Sequence, residues 1–146
     1  LLQKFPAREF SAVTKVNFRP AGNIEGERAG LLVMGLDYAL LSLEQTPEGI
    51  VISQNECLKA DRRGKEQVNA SQKLKNGEVW LKVTVRDGGK CRFAYSTDGR
   101  KFTDLGNEFK AREGNWIGAK VGVFCNRPVV SSDGGWLDVD YFRIEK

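Results

Sequence analysis

The stretch Glu78–Gly106, EVWLKVTVRDGGKCRFAYSTDGRKFTDLG, decides the fold. Leu81, Val83 and Val85 alternate with Trp80, Lys82, Thr84 and Arg86. A period of two with β-branched residues on one face predicts a half-buried strand. Asp87-Gly88-Gly89-Lys90 follows, and adjacent glycines supply the positive φ of a short hairpin turn. The return strand alternates again, Cys91, Phe93 and Tyr95 against Arg92, Ala94 and Ser96. Ser96-Thr97-Asp98-Gly99 is a second turn, and Phe102 begins the next apolar patch.

Outward from this hairpin the chain reads as further strands. Phe10–Phe18 alternates as a strand, and Arg19–Arg28, with Pro20, Gly22, Asn23 and Gly26, is a loop. Ala29–Met34 is a continuous apolar run, predicting a central strand, and Gly35 marks a bulge or a close approach. Tyr38–Glu44 and Ile50–Gln54 are strands around Pro47-Glu48-Gly49. Asn55–Gln72 is charged and weakly patterned, with one strand expected near Gln67–Leu74. Lys120–Cys125 and Trp136–Glu145 complete the set, separated by the loop Asn126–Gly135. In the last strand a plain alternation puts Trp136, Asp138, Asp140, Phe142 and Ile144 on one face. No helix of ordinary length is predicted. The reading is all-β: a jelly roll of two packed antiparallel sheets, one domain over 1–146.

Composition excludes several chemistries. The chain has no histidine, which removes Ser-His-Asp and Cys-His nucleophilic machinery and histidine zinc sites. Its net charge is +4, with basic residues scattered rather than gathered beside stacking aromatics, so no nucleic-acid partner is expected. No apolar stretch is long enough to span a bilayer. Three cysteines, Cys57, Cys91 and Cys125, are too few and odd in number for a disulfide framework, although the residues alone leave one bridge open. The opening Leu1-Leu2-Gln3-Lys4 has no Met and reads as cut from something longer.

Two constellations could carry function. Asp138-x-Asp140 resembles the start of the Glu-x-Asp-x-x-Glu strand motif of jelly-roll glucanases, but Arg143 stands in the acid/base place and cannot give up a proton. The pair is otherwise a solvated couple or a calcium ligand. The aromatic residues Tyr38, Trp80, Tyr95, Trp116, Trp136 and Tyr141 could stack on sugar rings. Trp80 lies on a mostly polar face, and Trp116 and Trp136 lie at loop–strand junctions.

Across most of its length the chain resembles the C-terminal β-sandwich module of family 43 glycoside hydrolases, the β-xylosidases and α-arabinofuranosidases. The matching stretches are Leu1–Ala7 (LLQKFPA), Ala29–Leu43 (AGLLVMGLDYALLSL), Cys91–Phe102 (CRFAYSTDGRKF), Ala111–Cys125 (AREGNWIGAKVGVFC) and Gly135–Ile144 (GWLDVDYFRI). The resemblance implies a concanavalin A-like jelly roll that lacks the catalytic carboxylates. It implies a partner, the catalytic five-bladed propeller, and xylan or arabinoxylan as the polymer acted on. It also implies an extracytoplasmic setting. Tyr38, Trp80 and Trp116 are the expected carbohydrate contacts. In the family a calcium can bridge an acid upstream of LLQKFPA and an acid of the last strand, here Asp140 rather than Asp138. The upstream strands are not in this chain, so an open sheet edge or a borrowed strand is expected. The ending Leu137-Asp138-Val139-Asp140-Tyr141-Phe142 departs mildly from the family's Ala-Asp-Phe-Asp-Trp-Phe. The alternatives are an independent lectin-like binding module and a jelly-roll glycosidase in its own right.

Overall fold

The computed structural model describes residues 1–22, 25–115, 118–130 and 134–146. The hairpin forms as its alternation requires. Strand β7 (Glu78–Arg86) pairs antiparallel with β8 (Lys90–Ser96), setting Leu81 opposite Tyr95 and Val83 opposite Phe93. Gly88 and Gly89 turn the chain at φ 79° and 73°, the left-handed region that side chains avoid.

Around it the other strands assemble into two sheets. They are β1 (Leu2–Lys4), β2 (Phe10–Arg19), β3 (Arg28–Met34), β4 (Tyr38–Thr46), β5 (Gly49–Cys57), β6 (Gln67–Lys73), β9 (Thr103–Asp104), β10 (Phe109–Lys110), β11 (Lys120–Asn126) and β12 (Trp136–Glu145). Sheet I has the order β1-β11-β3-β4-β5-β6. Sheet II has the order β10-β8-β7-β2-β12, with β9 beside β8. All strand pairs are antiparallel. The one helical element described is a 3₁₀ turn, Ala60–Arg62.

The core lies between the sheets. Leu31, Val33, Leu41, Leu43 and Ile52 of sheet I meet Val79, Leu81, Val83, Phe93 and Phe109 of sheet II. Each is a side chain whose burial is worth about 1.5–3 kcal/mol. The predicted central strand is β3, flanked by β11 and β4. Gly35 is a close approach: a Cβ there would lie 1.8 Å from the Arg112 carbonyl oxygen. All three cysteines are free, Cys57 and Cys91 buried and Cys125 exposed. Burial pushes the Cys91 thiol up to about 12.

The last strand departs from plain alternation. Val139 pairs with Val16 and Tyr141 pairs with Lys15, so Asp140 is an extra, bulged residue. A bulge flips the parity of everything beyond it. Leu137 therefore turns toward the core before the bulge, and Phe142 and Ile144 turn toward it after. Trp136 and Asp138 stay on the opposite, outer side, Trp136 59% exposed and the Asp138 side chain 49% exposed. The expectation that these five residues share one face is corrected.

The charged stretch after β5 is held by Asp37. Its buried carboxylate accepts from the Lys59 amide at 2.6 Å and from Arg112 Nε and Nη2 at 2.5 and 2.7 Å. The Arg112 guanidinium holds the Asp37 carboxyl below its ordinary range, against the opposing effect of burial. These bonds order a turn in which Lys59 and Arg63 both take positive φ, a conformation costly for residues with a Cβ.

Candidate functional site

The outer face of sheet I is where polar chemistry concentrates. Strand register places Met34 beside Tyr38, Leu32 beside Leu40, Gly30 beside Ser42 and Arg28 beside Glu44. From β11, Phe124 lies opposite Gly30 and Asn126 opposite Arg28. From β5, Asn55 lies opposite Leu40 and Cys57 opposite Tyr38. Although these residues face away from the core, Leu40 and Ser42 are buried.

Glu66, just before β6, is the hub over this face. Its carboxylate takes Arg28 Nη1 at 2.5 Å and Nη2 at 3.2 Å, Asn55 Nδ2 at 2.8 Å and the Tyr38 hydroxyl at 2.8 Å. Arg28 also donates through Nε to Asn126 Oδ1 at 3.1 Å. The bidentate, charge-assisted pair is the strongest kind of side-chain hydrogen bond. Burial raises the Glu66 pKa, but the bonds from Arg28, Asn55 and Tyr38 outweigh it and the carboxyl titrates below its ordinary value. Burial and the same carboxylate push the Tyr38 phenol up. The result is a groove of about 320 Å³ with a Leu32–Leu40–Phe124 apolar floor and a Tyr38–Glu66–Arg28 polar wall. Among the described residues Ser42 Oγ and Asn55 Oδ1 are buried without a hydrogen-bond partner, an arrangement that costs about 1–3 kcal/mol each. Such a face offers acceptors, donors and a ring edge to a polyhydroxylated ligand.

Tyr38 and Trp80 do not come together. Trp80 lies on the outer face of sheet II, opposite Lys15 and Ser96. Lys15 Nζ sits 5.2 Å from its ring centroid. Gly99 packs so closely that a Cβ would meet the ring at 2.7 Å. Trp116 lies outside the described residues. Asp140 Oδ2 is 2.9 Å from Lys15 Nζ, and Asp138 Oδ2 is 2.9 Å from Arg19 Nε. Among the described residues no group of three or more acidic or thiol side chains gathers that could hold a metal ion. Asp140, a carboxylate of the kind that calcium takes, is bonded to the Lys15 ammonium. Arg143 stacks over Tyr141 at 4.7 Å.

Sequence reasoning missed Glu66, Arg28 and Asn55. Glu66 sits in a charged segment that resembles any solvated loop, and only the fold shows it crossing three strands.

The outer-face geometry is set on a sandwich whose order invites comparison with known families. A family model described as the beta xylosidase C-terminal concanavalin A-like domain matches residues 1–145. The chain belongs to that family. As a beta-xylosidase C-terminal domain it is similar in fold to parts of larger enzymes. The GH43 BlXynB protein from Bacillus licheniformis is 24% identical with a TM-score of 0.79; the match covers 99% of this chain and 29% of that one. Xylan beta-1,4-xylosidase from Bacillus halodurans C-125 is 16% identical at a TM-score of 0.81, with the same two coverages, 99% and 29%. A bifunctional GH43-CE protein from Bacteroides eggerthii is 20% identical at 0.81, over 99% of this chain and 18% of that one. At these identities the likeness concerns the fold. The domain spans less than a third of the length of these proteins. No match was found among curated protein sequences. Among the described residues no helix is long and apolar enough to cross a membrane.

Proposed function

We propose that this domain is the non-catalytic accessory module of a family 43 glycoside hydrolase acting on xylan or arabinoxylan. The observation that carries the reading is the family match over residues 1–145, joined to a fold that fills 29% of whole GH43 chains. The module packs against the catalytic propeller, supports it, and presents Tyr38 and the Glu66 hub to the polymer. Leu2, Met34 and Val68, all exposed on the outer face of sheet I, suit such a contact surface. The natural setting of such an enzyme is periplasmic or secreted. Its hydrolytic groups belong to the propeller. In this domain Asp138 and Asp140 each bind a cation and Arg143 holds the third place of the motif. Calcium at Asp140 enters this proposal as a structural ion. It would require Lys15 to withdraw and further oxygen ligands from beyond the described residues.

The groove beside Tyr38 favours a second reading, an independent carbohydrate-binding module. Calorimetric titration of xylo-oligosaccharides into the chain separates the two. Saturable heat lost in Tyr38→Ala supports a site of its own. Absence of heat from a folded chain assigns the function to support of the catalytic domain. Loss of heat in Trp80→Ala but not in Tyr38→Ala would move the sugar contact to sheet II and contradict the proposed face.

A further inference from the structure

The outer face of sheet II carries a charge arrangement that the fold does not need. Arg86 of β7 lies directly opposite Lys90 of β8, and Lys90 lies directly opposite Lys110 of β10. Three cations therefore stand in one cross-strand rank, spaced by about 4.8 Å per strand. Like charges directly opposite each other destabilise a sheet. All three side chains are exposed, and none has an ion-pair partner among the described residues. Two acids lie at the hairpin tip, Asp87 in the turn and Glu9, which accepts the Asp87 amide at 3.3 Å, and neither forms an ion pair with the rank among the described residues.

The rank borders a groove of about 300 Å³ on the same face. Its floor is Ala94 and Thr84, where the small Ala94 opposite Lys82 leaves room. Phe102 forms one wall, with Lys82 Nζ 5.4 Å from its ring centroid. Lys82 likewise has no ion-pair partner among the described residues. Of the remaining charges, Arg92 faces Glu108 at 3.4 Å, and Asp104 lines the groove directly opposite Ala94. Lys82, Arg86 and Lys90 are thus three cations outside any ion pair among the described residues, beside a hydroxyl, a ring and two carboxylates, one of them held by Arg92. An aromatic wall with acceptors suits a sugar ring, and the cation rank suits carboxylates carried along it.

We infer that this groove binds a carboxylate-bearing polysaccharide, such as xylan with uronic-acid branches, at a site separate from the Tyr38 face. The inference rests on the xylan-linked reading above and extends it to the charged form of the polymer. The cations neutralise the branch carboxylates, and the ring and acceptors take the neutral backbone.

The test compares glucuronic-acid-substituted xylan with the same polymer after carboxyl reduction, by affinity electrophoresis or calorimetry at low salt. The expected result is binding of the acidic polymer about tenfold tighter than of the reduced one, the factor of one charge-assisted hydrogen bond. The double variant Arg86→Glu/Lys90→Glu should abolish that difference. Paired reversal at Lys73 and Lys75, across the sandwich, should leave it unchanged although the net charge falls equally. Circular dichroism establishes that each variant is folded, and Arg86→Gln/Lys90→Gln serves if the reversals do not fold. Equal binding of acidic and reduced polymer overturns the inference. So does an equal effect of both reversals, or equally tight binding of dextran sulfate, which marks unspecific attraction of polyanions. Failure here leaves the neutral titration at Tyr38 as it stands, so the two readings fail separately.

Discussion

Glu66 is the residue on which the candidate face depends. It joins β3, β4 and β5 through Arg28, Tyr38 and Asn55. Glu66→Ala removes three partners at once and leaves a half-buried guanidinium without its carboxylate. The expected loss is about 2–3 kcal/mol of unfolding free energy, read from urea denaturation. A loss under about 0.5 kcal/mol would show the hub to be ornamental. Its titration adds a second expectation. The carboxyls of Glu66, Asp37 and Asp98 all titrate below their ordinary values in the fold. Asp98 falls to about 2, held by the Lys101 and Arg100 amides and the Ser96 hydroxyl. A depressed folded pKa gives stability that is complete above the unfolded value, near 4. That stability drains as protons bind the unfolded chain preferentially. Melting temperature should therefore be level near neutrality, fall below about pH 4.5 and keep falling toward pH 2. In Asp98→Asn the part of the fall nearest pH 2 should shrink. An acid limb unchanged in that variant contradicts the assignment.

At the scale of elements, turns and bulges decide what the strands can present. Gly106 takes φ 81°, and a Cβ there would lie 2.1 Å from Gln54 Oε1. That oxygen accepts from the Asn107 amide and Asn69 Nδ2, linking β5 to β6 and to the approach to β10. Gly88 takes nearly the same φ, 79°, in open space. Gly88→Ala should cost about 1–2 kcal/mol from backbone strain alone. Gly106→Ala should cost more than about 3, because Gln54 must also give up its bonds. Thermal unfolding of both variants checks the difference, and equal costs would mean that Gln54 yields freely. The same scale explains what could be read beforehand. The Glu78–Ser96 hairpin was legible because strict alternation meets a double-glycine turn. The bulge at Asp140 was not, because an inserted residue leaves no mark in the pattern of Leu137-Asp138-Val139-Asp140-Tyr141. Tyr38 and Trp80 are both expected sugar contacts on strands. Alternation tells in from out, and only the topology tells that they face out from different sheets.

For the whole molecule, two sheets give two outer faces of different character. Sheet I offers an apolar floor under a fully bonded acid–arginine–phenol wall. Sheet II offers paired carboxylates at β12 and, at β7, β8 and β10, cations outside any ion pair among the described residues. Asp138 and Asp140 are each ion-paired, to Arg19 and Lys15, and the proposed function places hydrolysis in another domain. The family resemblance in the sequence pointed to the same architecture, because its motifs run in order along most of the chain. It could not locate Glu66, whose role depends on side chains brought together from four separate segments. The most direct test is sugar release from xylo-oligosaccharides by the purified chain alone and by a family 43 propeller domain with and without the chain attached. The account predicts no release by the chain alone, and a faster or longer-lived propeller when the two are joined. Release by the chain alone, lost in Asp140→Asn, would contradict it.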